Sequence, residues 1–165
     1  MTKKAEIITF GCRLNIYESE ILKQGIKEHK VIDTAIFNSC AVTSESVRQV
    51  KQSIRKRRRE FPDEKIIVTG CAAQIEPETF SKMQEVDLVS GNIEKRDILN
   101  ILSKEKNSKK IEVQNIMENR QNLNGLTDGY DNRSRAFIEI QNGCDHRCTF
   151  CIIPFGRGNS ISKSV

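Results

Sequence analysis

The chain has 165 residues, 37% hydrophobic, 30% charged and only 5% aromatic, with no tryptophan and six cysteines. That is enough for one domain of roughly 100 to 150 residues plus a remainder, and too little for two full domains. No run approaches the roughly 18 to 20 apolar residues of a membrane span, and the apolar stretch after Met1-Thr2-Lys3-Lys4 is too short for a signal peptide, so no membrane association and a cytoplasmic location are expected.

In a reducing compartment structural disulfides are disfavoured, so six thiols point to metal or redox chemistry. Lys plus Arg number 27 against 22 Asp plus Glu, a net +5 that is compatible with a polyanionic partner without requiring one.

The first hundred residues alternate short β-branched runs with longer amphipathic ones, the pattern of βαβ units and a parallel sheet. Strands are predicted at Glu6 to Phe10, Val31 to Asn38, Lys65 to Thr69 and Val86 to Val89. Helices are predicted at Asn15 to Lys27, Ser44 to Arg59, Glu78 to Met83 and Glu94 to Ser103. Val47, Val50 and Ile54 make the apolar stripe of a helix that covers a sheet. An α/β domain of three layers, residues 1–103, is the expectation. From Lys104 to Arg133 the chain turns polar and rich in asparagine, with turn-formers at Asn124-Gly125 and Asp128-Gly129, and reads as a linker that holds one short strand at Ile111 to Val113. A further unit, 134–165, opens with the predicted strand Arg135 to Ile140.

Cys12, Cys40 and Cys71 are far apart in sequence, yet each follows a predicted strand: Phe10-Gly11-Cys12, Asn38-Ser39-Cys40 and Thr69-Gly70-Cys71. In a parallel sheet all carboxyl ends share one edge, where such folds build ligand sites, so three thiols should converge there. Gly11 and Gly70 let the backbone turn sharply beside two of them. The plain alternative is three small buried hydrophobes. The functional reading is a three-thiolate site: structural zinc takes four protein ligands, whereas a cluster on three thiolates leaves one iron open.

The second group, Cys144-Asp-His-Arg-Cys148-Thr-Phe-Cys151, sets three thiols on one compact loop directly after a predicted strand. No fourth cysteine lies nearby. His146 could serve zinc, but its place between Cys144 and Cys148 makes simultaneous ligation awkward.

This spacing resembles the signature of radical S-adenosylmethionine enzymes. A preceding domain with its own three cysteines narrows the resemblance to the methylthiotransferases. Within them the chain is most similar to the branch that acts on threonylcarbamoyladenosine in tRNA, rather than on isopentenyladenosine or a ribosomal protein. The motifs that carry this are Phe10-Gly11-Cys12-Arg13-Leu14-Asn15-Ile16-Tyr17-Glu18-Ser19-Glu20, Asn38-Ser39-Cys40-Ala41-Val42-Thr43 and Val47-Arg48-Gln49. Val68-Thr69-Gly70-Cys71-Ala72-Ala73-Gln74 and Cys151-Ile152-Ile153-Pro154-Phe155-Gly156-Arg157-Gly158 extend them across nearly the whole chain.

The resemblance implies two [4Fe-4S] clusters, an auxiliary one on Cys12, Cys40 and Cys71 and a radical-generating one on Cys144, Cys148 and Cys151. It also implies S-adenosylmethionine as methyl donor and radical source, with Phe150 in the aromatic position of the cofactor loop, an electron donor, and tRNA as partner. The implied product is methylthiolation at adenine C2. A family core is a partial βα barrel, of which only the first strand and cluster loop are present, with 14 residues following Cys151. The expectation is therefore a fragment that does not complete catalysis alone. The alternatives are a non-catalytic iron–sulfur module or a decayed gene product that binds tRNA or a partner chain.

Between Arg48 and Glu60 stand Arg48, Lys51 and the run Arg55, Lys56, Arg57, Arg58, Arg59. These cations suit tRNA phosphates, or equally the carboxyl end of a solvated helix, whose dipole favours positive charge.

Overall fold

The computed structural model describes residues 4–103, 110–119, 129–130 and 134–163. The turn-formers Asn124-Gly125 and Asp128 lie outside the described residues.

Five parallel strands form one sheet, β1 (Glu6–Thr9), β2 (Thr34–Ser39), β3 (Lys65–Gly70), β4 (Leu88–Ser90) and β5 (Ile111–Glu112), in the order 1-2-3-4-5. The interior strand β2 is buried along its whole length, as expected where helices cover both faces of a parallel sheet. Alternation along the strands divides the core. Ala35, Phe37, Ile66 and Val68 face one side, under Val50 and Ile54 of α2 (Ser44–Glu60). Ile36 and Ile67 face the other, against Leu22 and Ile26 of α1 (Arg13–Glu28) and Ile98 of α5 (Ile98–Ser103). The three-layer α/β architecture is thus present. All four strand steps run the same way across the sheet, so helices on both faces require crossovers of both hands, a departure from the right-handed rule.

Local chemistry explains the boundaries. Thr43 caps α2 by accepting the Ser46 amide at 3.1 Å, and Arg57, Arg58 and Arg59 fill its last turn. The predicted helix at Glu78 to Met83 is present as the short α4 (Pro77–Ser81), and an unpredicted short helix, α3 (Cys71–Ile75), precedes it. Pro77 cannot continue α3 and opens α4 at its first turn. The predicted helix at Glu94 is a 3-10 turn over Glu94–Asp97 that leads into α5.

β5 lies inside the segment read as a linker and completes the sheet, and a 3-10 turn at Ile116–Glu118 buries Ile116 against the same body. The strand predicted at Arg135 to Ile140 does not form. Only Gln141–Asn142 (β6) pairs, antiparallel, with Ile161–Ser162 (β7). Ile138 and Ile140 stay 78% and 71% exposed, because among the described residues no strand lies alongside to satisfy the backbone of 135–140. A last helix, α6 (Ile153–Arg157), buries Pro154, Gly156 and Arg157. Among the described residues no helix is long and apolar enough to cross a membrane.

Candidate functional site

Buried polar side chains gather at the carboxyl ends of the strands: Asn38 and Ser39 on β2, Thr69 on β3 and Ser90 on β4. This is the edge at which Cys12, Cys40 and Cys71 stand. Cys12 is the extended residue that caps α1, Cys40 follows β2 directly, and Cys71 is the first residue of α3. All three line one cleft of about 350 Å³, together with Asn15, Gly143, Ile153 and Arg157. The three strand ends thus bring their cysteines to one cleft though not to a single point, and the positive end of α1 abuts it.

Two glycines make the approach possible. Gly11 (φ 97°) lies so near Cys40 that a Cβ there would fall 2.7 Å from its Sγ. Gly70 (φ 95°) lies against Ser39, where a Cβ would fall 2.4 Å from the carbonyl oxygen. Asn15 ties the strand ends together: its Nδ2 donates to the carbonyls of Phe10 (2.8 Å) and Ser39 (3.0 Å), while its Oδ1 faces the Cys12 thiol at 3.7 Å. Asn92 Nδ2 approaches Cys71 Sγ at 3.8 Å.

Below the cleft lies a charged cluster that sequence reasoning missed. Glu18 accepts from Lys95 Nζ at 2.7 Å and from both terminal nitrogens of Arg157, whose Nη2 also donates to Asn15 Oδ1. Lys95 and Arg157 are buried. Burial alone would raise the Glu18 carboxyl, but the two cations overturn this and hold it at about 2, below the ordinary 4.5. Burial lowers Lys95, against the pull of Glu18. Burial also opposes the charge on Arg157, yet Glu18, Cys71 and Cys12 together hold its guanidinium above the ordinary range. The only advance signal was that Glu18 and Arg157 sit inside the motifs flanking Cys12 and Cys151; nothing marked Lys95.

The second triad lies on a loop fixed by its own bonds. The Cys144 amide donates to Gly158 O (3.1 Å), Cys151 N to Cys148 O (3.0 Å), and Arg147 to Cys144 O (2.7 Å). Cys148 is exposed, Cys144 and Cys151 are half-buried, and Phe150 is 90% exposed. His146 is exposed. α6 carries this loop onto the first site, packing so closely that a Cβ at Gly156 would lie 3.1 Å from Cys71 Cβ.

All six cysteines are free thiols. Among the described residues, no three His, Cys, Asp or Glu side chains are gathered tightly enough to hold a single metal ion. Thiols set around a cleft rather than at one point suit a polynuclear iron–sulfur core, whose ligands bind different irons, better than one zinc. The first triad, three thiols on one cleft, is a donor set that would suit such a core.

The basic run divides. Arg57 bonds to Glu64 (2.5 Å) and pairs with Glu6 (2.7 Å), and Glu64 hydrogen bonding is the main cause that raises it. Arg58 reaches Asp87 at 2.6 Å and the carbonyls of Pro62, Glu64 and Glu85. Arg48 pairs with Glu45, Lys56 meets Glu60 at 3.8 Å, and Lys51 lies over the Phe80 ring. Arg55 and Arg59 are exposed beside Gln84 and Glu85.

Comparison with known proteins agrees with these motifs. Residues 4–91 match the family model described as Uncharacterized protein family UPF0004. The chain is 50% identical over 98% of its length to the threonylcarbamoyladenosine tRNA methylthiotransferase MtaB of Rickettsia prowazekii, and 36% identical over 98% to the protein of that name from Aquifex aeolicus. Against the tRNA-2-methylthio-N(6)-dimethylallyladenosine synthase of Rickettsia prowazekii it is 31% identical over its full length. It spans 38%, 42% and 41% of those three proteins. With more than half its residues inside the family model, and methylthiotransferases among its relatives, the chain belongs to the UPF0004 family.

Proposed function

We propose that this chain is the cluster-bearing portion of a cytoplasmic tRNA methylthiotransferase acting on threonylcarbamoyladenosine, with Cys12, Cys40 and Cys71 holding an auxiliary [4Fe-4S] cluster and Cys144, Cys148 and Cys151 holding the one that engages S-adenosylmethionine. The observation that supports this best is the meeting of three thiols from three adjacent strand ends in one cleft. The higher identity to the threonylcarbamoyladenosine enzyme than to the dimethylallyladenosine enzyme of the same organism supports the branch.

Bound clusters would supply an open iron for a sulfur ligand at the first site and an electron for cleavage of S-adenosylmethionine at the second. The chain's own residues do the rest. Gly11 and Gly70 clear space beside the thiols, Asn15 fixes the spacing of the first two strand ends, and α6 holds the second loop against the first site. Phe150, exposed beside Cys151, offers an apolar face to a cofactor, and Arg55 and Arg59 offer charge to tRNA phosphates.

The test is anaerobic reconstitution with iron and sulfide. The chain should take up about eight irons with labile sulfide and absorb near about 400 nm, and alanine at Cys12, Cys40 and Cys71 should remove about half the iron. Stoichiometric zinc without labile sulfide refutes the reading.

A second reading, a non-catalytic iron–sulfur module or decayed gene product that binds tRNA or a partner chain, is favoured by the openness of the second triad. Cys148 and Phe150 face solvent, and 135–140 pairs with no strand among the described residues. Under both readings the reconstituted chain with reductant makes no 5′-deoxyadenosine from S-adenosylmethionine alone, so only robust production discriminates, and it excludes the non-catalytic module.

A further inference from the structure

Arg157 stands six positions after Cys151, yet its guanidinium is buried at the cleft of Cys12, Cys40 and Cys71. It is held there by two residues on one face of α1, Glu18 and the Asn15 side chain that also faces the Cys12 thiol. Lys95, from the 3-10 turn after β4, completes the cluster by binding Glu18 at 2.7 Å and Asn38 Oδ1 at 3.3 Å. Glu18 thus pairs with both cations, and a further carboxylate, Glu139, lines the cavity beside them. Arg157 lines the cleft together with Cys12, Cys40 and Cys71, which sets its guanidinium charge beside the three thiols.

We infer that Arg157 is a positioning residue for the first cysteine site: held by Glu18 and Asn15, it supplies the fixed positive charge that sets the reduction potential of the group bound by Cys12, Cys40 and Cys71. This rests on the reading of that site as an iron–sulfur centre. Reduction adds an electron to an already anionic thiolate-ligated group, so a nearby fixed cation favours the reduced form and raises the potential. Because Arg157 belongs to the segment that carries the second triad, the first site has this charge only while α6 is docked.

The sign of the potential separates this from a merely structural role. Were Arg157 only a clasp, its loss would loosen α6 and admit water, which also stabilises the more negative reduced form and raises the potential. As a charge, its loss lowers it. The experiment uses the full chain with alanine at Cys144, Cys148 and Cys151, so that the measured centre belongs to the first site, with iron and sulfide counted before redox titration followed by absorbance and electron paramagnetic resonance. R157Q should shift the midpoint down and R157K should restore it. K95Q, which removes a cation without touching α6, should also shift it down and serves if R157Q fails to load. A rise or no change in R157Q, or in K95Q where that variant stands in, overturns the inference while leaving the centre intact. If the parent chain takes up no iron and sulfide, the iron–sulfur reading fails and the inference with it.

Discussion

Replacing Gly70 with alanine tests whether the cysteine edge is built as described. Gly70 has φ 95° and ψ −172°, a backbone region essentially confined to glycine, where any side chain costs of order 1–3 kcal/mol. The added Cβ would also lie 2.4 Å from Ser39 O and 2.6 Å from Ser39 N. Ser39 is the register partner of Gly70 in the β2–β3 ladder, so the obstacle is backbone of the interior strand β2 and cannot swing aside. Overpacking of that kind adds about 1–3 kcal/mol. Together these give about 2–6 kcal/mol, out of a total stability of about 5–15 for a domain.

Urea unfolding followed by far-UV circular dichroism reads this directly. With a slope of about 2 kcal/mol per molar, the midpoint should fall by about 1–3 M. Gly129→Ala is the control, since a Cβ there meets nothing within 4 Å, and it should stay within about 0.5 kcal/mol of the parent. A Gly70→Ala midpoint equal to that of Gly129→Ala refutes the reasoning. Gly11→Ala is a companion case. Its φ is equally restrictive, and the Cβ would lie 2.6 Å from Cys40 Cβ, an atom fixed by the backbone, so it should cost the fold as Gly70→Ala does and disturb iron loading as well.

Two further outcomes follow from the charges. The Glu18 carboxyl, held at about 2 in the fold against 4.5 ordinarily, is depressed, so its stabilisation is complete above about pH 4.5 and lost as pH falls toward 2. The stability gap between the parent and E18Q, measured by urea unfolding from pH 6 to 3, should therefore narrow on acidification; a constant gap contradicts the ionised pairing. Arg58→Ala should cost about 1–3 kcal/mol by stranding Asp87 and three carbonyls, whereas Arg59→Ala should change stability by less than about 0.5. If Arg55 and Arg59 touch tRNA, their joint replacement by alanine should reduce the salt slope of tRNA binding by about 1–2, measured by fluorescence anisotropy; an unchanged slope removes them from the interface.

The sheet was legible because each strand leaves a local record. The runs Ile66-Ile67-Val68 and Ala35-Ile36-Phe37 are apolar without alternation, which only two covered faces explain. The cysteine edge was legible for the same reason, since a residue that follows a strand has a defined place in a parallel sheet. Residues 135–140 misled because Phe137, Ile138 and Ile140 have strand chemistry, but a strand also needs a neighbour, and that is a property of the surroundings. Arg57 and Arg58 could not be told from Arg55 and Arg59 in sequence. Their roles diverge only because Glu6, Glu64 and Asp87 come from other elements to meet two of them.

The Arg157 cluster was illegible for a deeper reason. Its bonds to Glu18 and Asn15 span 139 and 142 residues, and no periodicity relates a segment after the second triad to a helix after the first cysteine. Nor is the cluster an incidental contact of a chain end against a finished domain. Burying a guanidinium and an ammonium costs far more than burying apolar groups of the same size, and hydrophobic packing by Pro154 and Phe155 would dock α6 more cheaply. The cysteines the cluster faces are the groups on the described edge whose bound form would be anionic, which makes the electrostatic account of Arg157 the one that explains both its burial and its place.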